Sequence, residues 1–314
     1  LDSAKRIMQR LCYLKAVASL VTENETSNLE TFGKRFIARV THRVRFQPPF
    51  DEELQAYAKT RLTDGAYKDL RKTIMENAGP ANIELQDIYL ADPSLPSCTG
   101  KLVEEDWRKY PSLGISLELV KKGTYSALTR SLALLAVTPK EEILAFGEPD
   151  LKHNPMRISD SQAAVLLFCL LDNDSEVILP LMRSLIARGE GVFNERSAGD
   201  FLPSILRKIV TNFSKKSLHA EDRERIAVLT KVAASVERWK DKPYTGGGAR
   251  EEAIRVRLEP YCDLGLLFKP IREKYEYQVT EATRALVSHC DTFVDVDQFL
   301  QEGFFAAFAA CRGI

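Results

Sequence analysis

The sequence has few histidines and no excess of charge of either sign. None of its four histidines, His42, His153, His219 and His289, pairs with a cysteine or carboxylate at the spacing of metal ligands. No GxSxG nucleophile elbow, P-loop or HExxH motif occurs. Lys and Arg together number 44, as do Asp and Glu, so overall basicity cannot drive binding to nucleic acid. We therefore expect no catalytic centre, no metal site and no cofactor, and any DNA contact must rest on local patches.

Long apolar runs and paired cysteines are also absent. The longest apolar stretch, Ala163 to Leu171, falls far short of the roughly 20 residues that span a bilayer. The six cysteines include no CxxC pair and suggest no disulfide framework, which is typical of a reducing compartment. No signal-peptide pattern opens the sequence. These absences predict a cytoplasmic protein with no membrane partner.

Helical periodicity dominates what is present. Apolar residues recur at spacings of three and four along most of the chain, as in the series Leu11, Leu14 and Val17. At 314 residues the chain exceeds the usual size of one compact domain. We therefore predict a mainly α, multi-domain helical protein.

One segment near the end of the sequence combines a helix with a strand ribbon. A helical pattern from Ala249 to Cys262 leads into Leu264-Gly265-Leu266, a charged turn at 269–274 and an alternating run from Tyr275 to Val279. A glycine at the helix exit permits a left-handed residue, so the chain can turn into a strand. This order resembles the recognition-helix-plus-wing half of winged-helix domains, with the recognition helix at 250–261 and the wing tip at 269–274.

A similar order occurs earlier, at 101–137. There an extended run through Leu113-Gly114-Ile115 to Val120 is followed by a turn at 121–123 and a helix from Leu128. Two such units separated by helices resemble the tandem winged-helix recognition modules of type IIS restriction enzymes and other DNA-targeting bacterial proteins. The predicted divisions are an N-terminal helical region with a basic helix (1–95), a first winged-helix unit (96–150), a helical middle region (151–242) and a winged-helix domain with a C-terminal helix (243–314).

Basic side chains mark the segments that would meet DNA. Residues 31–46 contain no acid, and in a helix over 29–46 the side chains of Arg35, Arg39 and Arg43 would share one exposed face. The helix and wing near the end of the chain add further cations. The candidate nucleic-acid-binding residues are Lys34, Arg35, Arg39, Arg43, Arg45, Arg250, Arg255, Arg257, Lys269, Arg272 and Lys274. The alternative in both segments is an ordinary solvated surface whose cations pair with acidic neighbours.

The basic segments and the resemblance together predict a DNA-binding subunit. The resemblance implies that it belongs to a larger bacterial-type assembly, of the restriction or anti-phage defence kind, with protein subunits as further partners. The alternative is a protein–protein adaptor whose winged-helix units hold partner subunits, because fold alone does not prove DNA contact. A final helix over about 297–311 is apolar on nearly all sides, so we expect it to be buried in the fold or in a partner interface.

Overall fold

The computed structural model describes residues 10–23, 28–45, 68, 82–90, 92, 94–96, 100–148, 150, 152–189, 191–214, 223, 226–231, 233–234, 249–271 and 275–314. Helices dominate these residues, which confirms the prediction of a mainly α protein. The described chain forms two compact units, a first unit of Arg10–Pro96 with Gly100–Leu166, and a second unit of Leu167–Ile314. This division is coarser than the four segments predicted from the sequence.

The first unit is built around a buried helix. Its helices are α1 (Tyr13–Glu23), α2 (Leu29–Val40), α3 (Leu85–Leu90), a 3-10 helix (Glu104–Arg108), α4 (Lys109–Ser116), α5 (Thr129–Ala136) and α6 (Lys140–Leu144). Two strands, β1 (Arg43–Arg45) and β2 (Asn82–Glu84), pair antiparallel. All residues from Leu11 to Val21 are buried, and the one charged side chain among them, Lys15, donates to Glu142 at 2.7 Å.

Two sequence predictions for the first unit are wrong. The basic helix ends at Val40 instead of residue 46, because the next residues form β1, which is paired with β2. The extended run predicted through Leu113 is helical, and α4 packs so closely that a Cβ on Gly114 would lie 2.9 Å from Val17 Cγ1. Only an isolated bridge between Val120 and Ala127 remains of the ribbon predicted there. Helix packing against α1 therefore overrides the local strand pattern.

The second unit combines helices with a small sheet. Its helices are α7 (Asp160–Arg188, of which residues 167–188 belong here), α8 (Glu195–Gly199), α9 (Leu202–Ser214), α10 (Ala249–Asp263), α11 (Glu281–Cys290), α12 (Val296–Gln298), a π-helical turn (Phe299–Gly303) and α13 (Phe304–Arg312). The strands are β3 (Phe193–Asn194), β4 (Leu267–Phe268) and β5 (Glu276–Val279). They form an antiparallel sheet in the order β3-β5-β4.

The two-stranded ribbon predicted after α10 is confirmed. Leu267 pairs with Val279 and Phe268 with Gln278. Gly265 has a φ of 71°, the left-handed conformation expected of a glycine at the helix exit. The ribbon gains a third strand, β3, which the sequence did not predict because two residues carry no periodic signal.

The C-terminal helix was predicted to be buried either in the fold or in a partner interface, and it is buried in the fold. Phe299, Phe304 and Phe308 are buried, and α13 packs against α11 with the Cys311 thiol donating to the carbonyl of Ala282 at 3.1 Å. Phe305 differs, because its side chain is 77% exposed. The helix thus has an outward apolar residue that its composition did not distinguish from the core residues.

Candidate nucleic-acid interface

The helix predicted to read DNA has no free face over most of its length. Every residue of α10 from Ile254 to Asp263 is buried. A helix that enters the major groove must present side chains to base edges. Residues 254–263 therefore cannot act as a recognition helix in this conformation, which corrects the prediction made for 250–261.

Two of the predicted DNA contacts on α10 are engaged in buried ion pairs. Arg255 donates to both carboxylate oxygens of Glu195, the first residue of α8. Arg257 lies against Asp174 of α7, with 3.0 Å between Nε and Oδ2. A buried charge needs a partner in exchange for its hydration, and these carboxylates supply one. Neither guanidinium is available to a phosphate.

The predicted wing cation is also turned inward. Lys269 Nζ and the hydroxyl of Tyr277 both donate to Glu259 Oε1 at 2.7 Å, and all three side chains are buried. Burial and the neighbouring Glu259 charge raise the pKa of Tyr277 far above its usual range, so its hydroxyl stays protonated and donates. This cluster joins α10, β5 and the residue that follows β4.

A tyrosine ring covers two of these cations. The Arg255 guanidinium carbon lies 3.7 Å from the Tyr275 ring centroid, and Lys269 Nζ lies 4.7 Å from it. A cation over an aromatic face is attracted by the ring quadrupole, more strongly where water is excluded. Tyr275 thus packs against both charged groups. We call Glu195, Arg255, Glu259, Lys269, Tyr275 and Tyr277 the buried charge cluster.

The basic row predicted on α2 does not exist as one surface. Arg43 lies on β1 and donates to Glu84 at 2.8 Å, and Arg39 donates to both carboxylate oxygens of Glu23. Lys34 pairs with Glu30 at 2.6 Å. Arg35 alone of these four is exposed without a hydrogen bond or ion pair to any residue that the structure describes. The alternative of a surface with acidic partners therefore describes this segment better than an arginine row does.

The carboxylates that pair with the cations of this segment have lowered pKa values. The hydrogen bond from Arg39 lowers the pKa of Glu23 against an opposing effect of burial. Partial burial would raise the pKa of Glu84, but hydrogen bonds from Gln86 and Arg43 lower it overall. Both carboxylates are therefore charged at neutral pH and compete with any phosphate for the arginines.

The remaining predicted contacts can be placed only in part. Arg45 lies on β1 and Arg250 on α10, but their side chains are outside the described part of the structure. Arg272 and Lys274 belong to residues 272–274, which also lie outside it. These four stay predictions.

The described residues contain neither a candidate metal-binding group nor a helix that could span a membrane. Among them, no group of three or more His, Cys, Asp or Glu side chains is arranged to hold a metal ion. No helix in the described ranges is both long enough and apolar enough to cross a membrane.

The second unit exposes large apolar side chains that the sequence reading missed. Phe268 on β4 is 51% exposed, and Ile271, three residues further along the chain, is also exposed. Val294 and Phe305 are exposed in the C-terminal helical segment. Successive side chains of a strand point to opposite faces, so Phe268 is exposed where its neighbour Leu267 is buried. A strand of two residues is too short for this alternation to be recognised in the sequence.

Comparison of the chain with protein-family models, curated proteins and solved structures gave no match.

Proposed function

We propose that this protein is a protein–protein adaptor without a catalytic centre of its own, and that its second unit is a winged-helix module that binds proteins. The observation that carries the proposal is the burial of Arg255, Arg257 and Lys269. These were the cations expected to meet phosphates, and each is instead buried against a carboxylate of the same unit. Phosphate contacts supply much of the affinity of DNA-binding proteins. Because these three cations cannot make such contacts, the adaptor function is favoured over DNA binding.

The arrangement of the second unit supports the winged-helix part of the proposal. A strand (β3) is followed by helices, then by α10 and the β4–β5 ribbon, and the first strand pairs with the last. Winged-helix domains have this element order. In this chain, however, the helix before the ribbon is a core element, so a partner must bind elsewhere on the unit.

Exposed apolar groups support the protein-binding part. Phe268, Ile271, Val294 and Phe305 are all in the second unit, and together they are poor contacts for a phosphate backbone. Large aromatic and aliphatic side chains of this kind are enriched at the centres of protein interfaces. Membership of a restriction or defence assembly rests only on the sequence resemblance and stays a prediction.

Two measurements on the full chain test the adaptor function. The first is fluorescence anisotropy with a labelled DNA duplex between about 50 and about 200 mM salt, where phosphate-driven binding weakens steeply. We expect no such binding. Tight, salt-sensitive association would replace the adaptor by the DNA-binding function.

The second measurement places a photo-crosslinking amino acid at Phe268 or, as a control, at exposed Lys208 on α9. In the native cell we expect a discrete protein adduct from the Phe268 position and none from the Lys208 position. Adducts to nucleic acid, or equal labelling at both positions, would contradict the proposal.

A further inference from the structure

The C-terminal helical segment carries an outward apolar face with acidic side chains at its first end. On α13, Phe304, Ala307 and Phe308 point into the core, whereas Phe305, Ala306 and Ala310 are exposed. These exposed positions are spaced by one, four and five residues, so they lie along one side of the helix. Phe305 is the large side chain on a surface otherwise formed by alanines.

Hydrogen bonds extend this face towards the start of the segment. The Gln298 amide oxygen accepts from the Val294 backbone N–H at 3.3 Å, and its nitrogen donates to Glu302 Oε2 at 3.0 Å. Val294, whose side chain is 92% exposed, is thus linked to Glu302 through the Gln298 side chain. We name the surface formed by Val294, Glu302, Phe305, Ala306 and Ala310 the C-terminal face.

The exposed charged side chains at the N-terminal end of the C-terminal face are all acidic. Asp295, Asp297 and Glu302 are exposed, and no Lys or Arg lies between residues 285 and 311. Asp291 is nearby in sequence but already pairs with Arg183 at 2.5 Å. The other end has a single cation, Arg312, whose guanidinium lies 5.5 Å from the ring centroid of Phe308 on its own helix.

From this combination we propose that the C-terminal face binds an amphipathic helix of a partner protein whose apolar ridge is flanked by Lys or Arg side chains. Alanines let a second helix approach closely, and Phe305 provides the side chain that inserts between its residues. Basic flanks complement Asp297 and Glu302 and speed association. The proposal rests on the adaptor function and adds to it a binding surface separate from Phe268 and Ile271, with the chemistry of its partner.

A second copy of this chain fits the face less well. A closed dimer is isologous, so each acidic end must meet either itself or the opposite end of the same face. The opposite end offers only Arg312 against three carboxylates, and like charges brought together oppose association. Charge complementarity therefore favours a different, basic partner.

The test uses the full chain and two synthetic helical peptides of about 18 residues with the same leucine ridge. One peptide has Lys and Arg on its flanks, and the other has Glu at those positions. Isothermal titration calorimetry should show the basic peptide binding at least about tenfold more tightly than the acidic one. Binding should weaken as salt is raised.

Two pairs of variants locate the binding. Phe305→Ala should weaken the basic peptide at least about tenfold, as expected of a central aromatic contact, whereas Phe268→Ala removes another exposed Phe of the unit and should have no effect. Asp297→Lys with Glu302→Lys should abolish the preference for the basic peptide. A single charge reversal away from the face, Glu281→Lys, at a residue 94% exposed on α11, should leave it unchanged.

Several results would overturn the proposal. They are equal affinity for both peptides, no binding of the basic peptide, or equal losses with Phe305→Ala and Phe268→Ala. Self-association of the chain that Phe305→Ala abolishes would assign the face to a second copy instead. None of these results touches the wing surface at Phe268 and Ile271, so the adaptor function fails separately, on the DNA and cross-linking measurements.

Discussion

Lys269 and Glu259 form an ion pair in which neither side chain is exposed, with 2.7 Å between Nζ and Oε1. Such a pair contributes little net stability compared with an apolar pair, but breaking it leaves an uncompensated buried charge. We therefore expect Lys269→Met to lower the free energy of unfolding by about 3–5 kcal/mol. Urea denaturation followed by circular dichroism measures the change.

The matched variants for that prediction separate charge from packing. Lys208→Met removes an exposed lysine on α9 and should change stability by less than about 0.5 kcal/mol. Glu259→Gln combined with Lys269→Met should recover part of the loss, because it removes the orphaned charge and keeps an acceptor for the Tyr277 hydroxyl. A Lys269→Met variant as stable as the wild type would show that the pair is not buried in solution.

The Arg39–Glu23 pair gives a pH dependence of known sign. Arg39 lowers the pKa of Glu23 in the folded state below its ordinary value of 4.5, so the pair stabilises above that value and this contribution is lost as pH falls through the folded-state pKa. Arg39→Met should lower the melting temperature near neutral pH, and the difference from the wild type should shrink as pH falls below the ordinary value of 4.5. Differential scanning calorimetry across that range provides the measurement, and Arg35→Met, on the same helix but without a carboxylate partner among the described residues, should show no pH-dependent difference.

Gly33 allows α2 to approach Trp107 more closely than a side chain would permit. A Cβ at position 33 would lie 2.3 Å from Trp107 Cε3 and 2.5 Å from the Trp107 carbonyl oxygen. Because one of these atoms is backbone, Gly33→Ala should cost about 1–3 kcal/mol through overpacking. Gly147→Ala, where the nearest atom is 3.8 Å away, is the control in the same unit, and equal stability of the two variants would contradict the contact.

Truncation of two adjacent phenylalanines on α13 should affect stability to very different extents. Phe304 packs against the rings of Phe168 and Phe308, with centroids at 5.3 and 6.2 Å, whereas Phe305 is mostly exposed. Phe304→Ala should lower the free energy of unfolding by about 3–5 kcal/mol. Phe305→Ala should change it by less than about 0.5 kcal/mol, and a comparable loss from both substitutions would place Phe305 in the core as well.

Local sequence rules were sufficient for the ribbon and its flanks. Gly265 marks the helix exit, the run from Tyr275 to Val279 alternates as a half-buried strand does, and Thr280 caps α11 by accepting from the Thr283 backbone N–H. Each of these signals acts over a few residues. They could be read without knowing what the ribbon packs against.

The environment of α10 could not be read in this way. Its central residues alternate apolar and charged, as in Val256, Arg257 and Leu258, and charge in a helix is usually interpreted as exposure. The carboxylates that neutralise Arg255 and Arg257 lie 60 and 83 positions away in the sequence. Partners so distant are invisible to any periodicity, which is why the candidate DNA contacts were misplaced.

The buried charge cluster couples the opening of the β4–β5 ribbon to the opening of α10. Lys269 and Tyr277 lie at the ribbon and Glu259 lies on α10. Moving the ribbon away from α10 would therefore leave the buried Glu259 carboxylate without these two donors. Partial opening of the ribbon is therefore costly, although so small a sheet would ordinarily fray. The amide protons of β5 and of the second half of α10 belong to one cooperative unit and should exchange with solvent at the same free energy of opening.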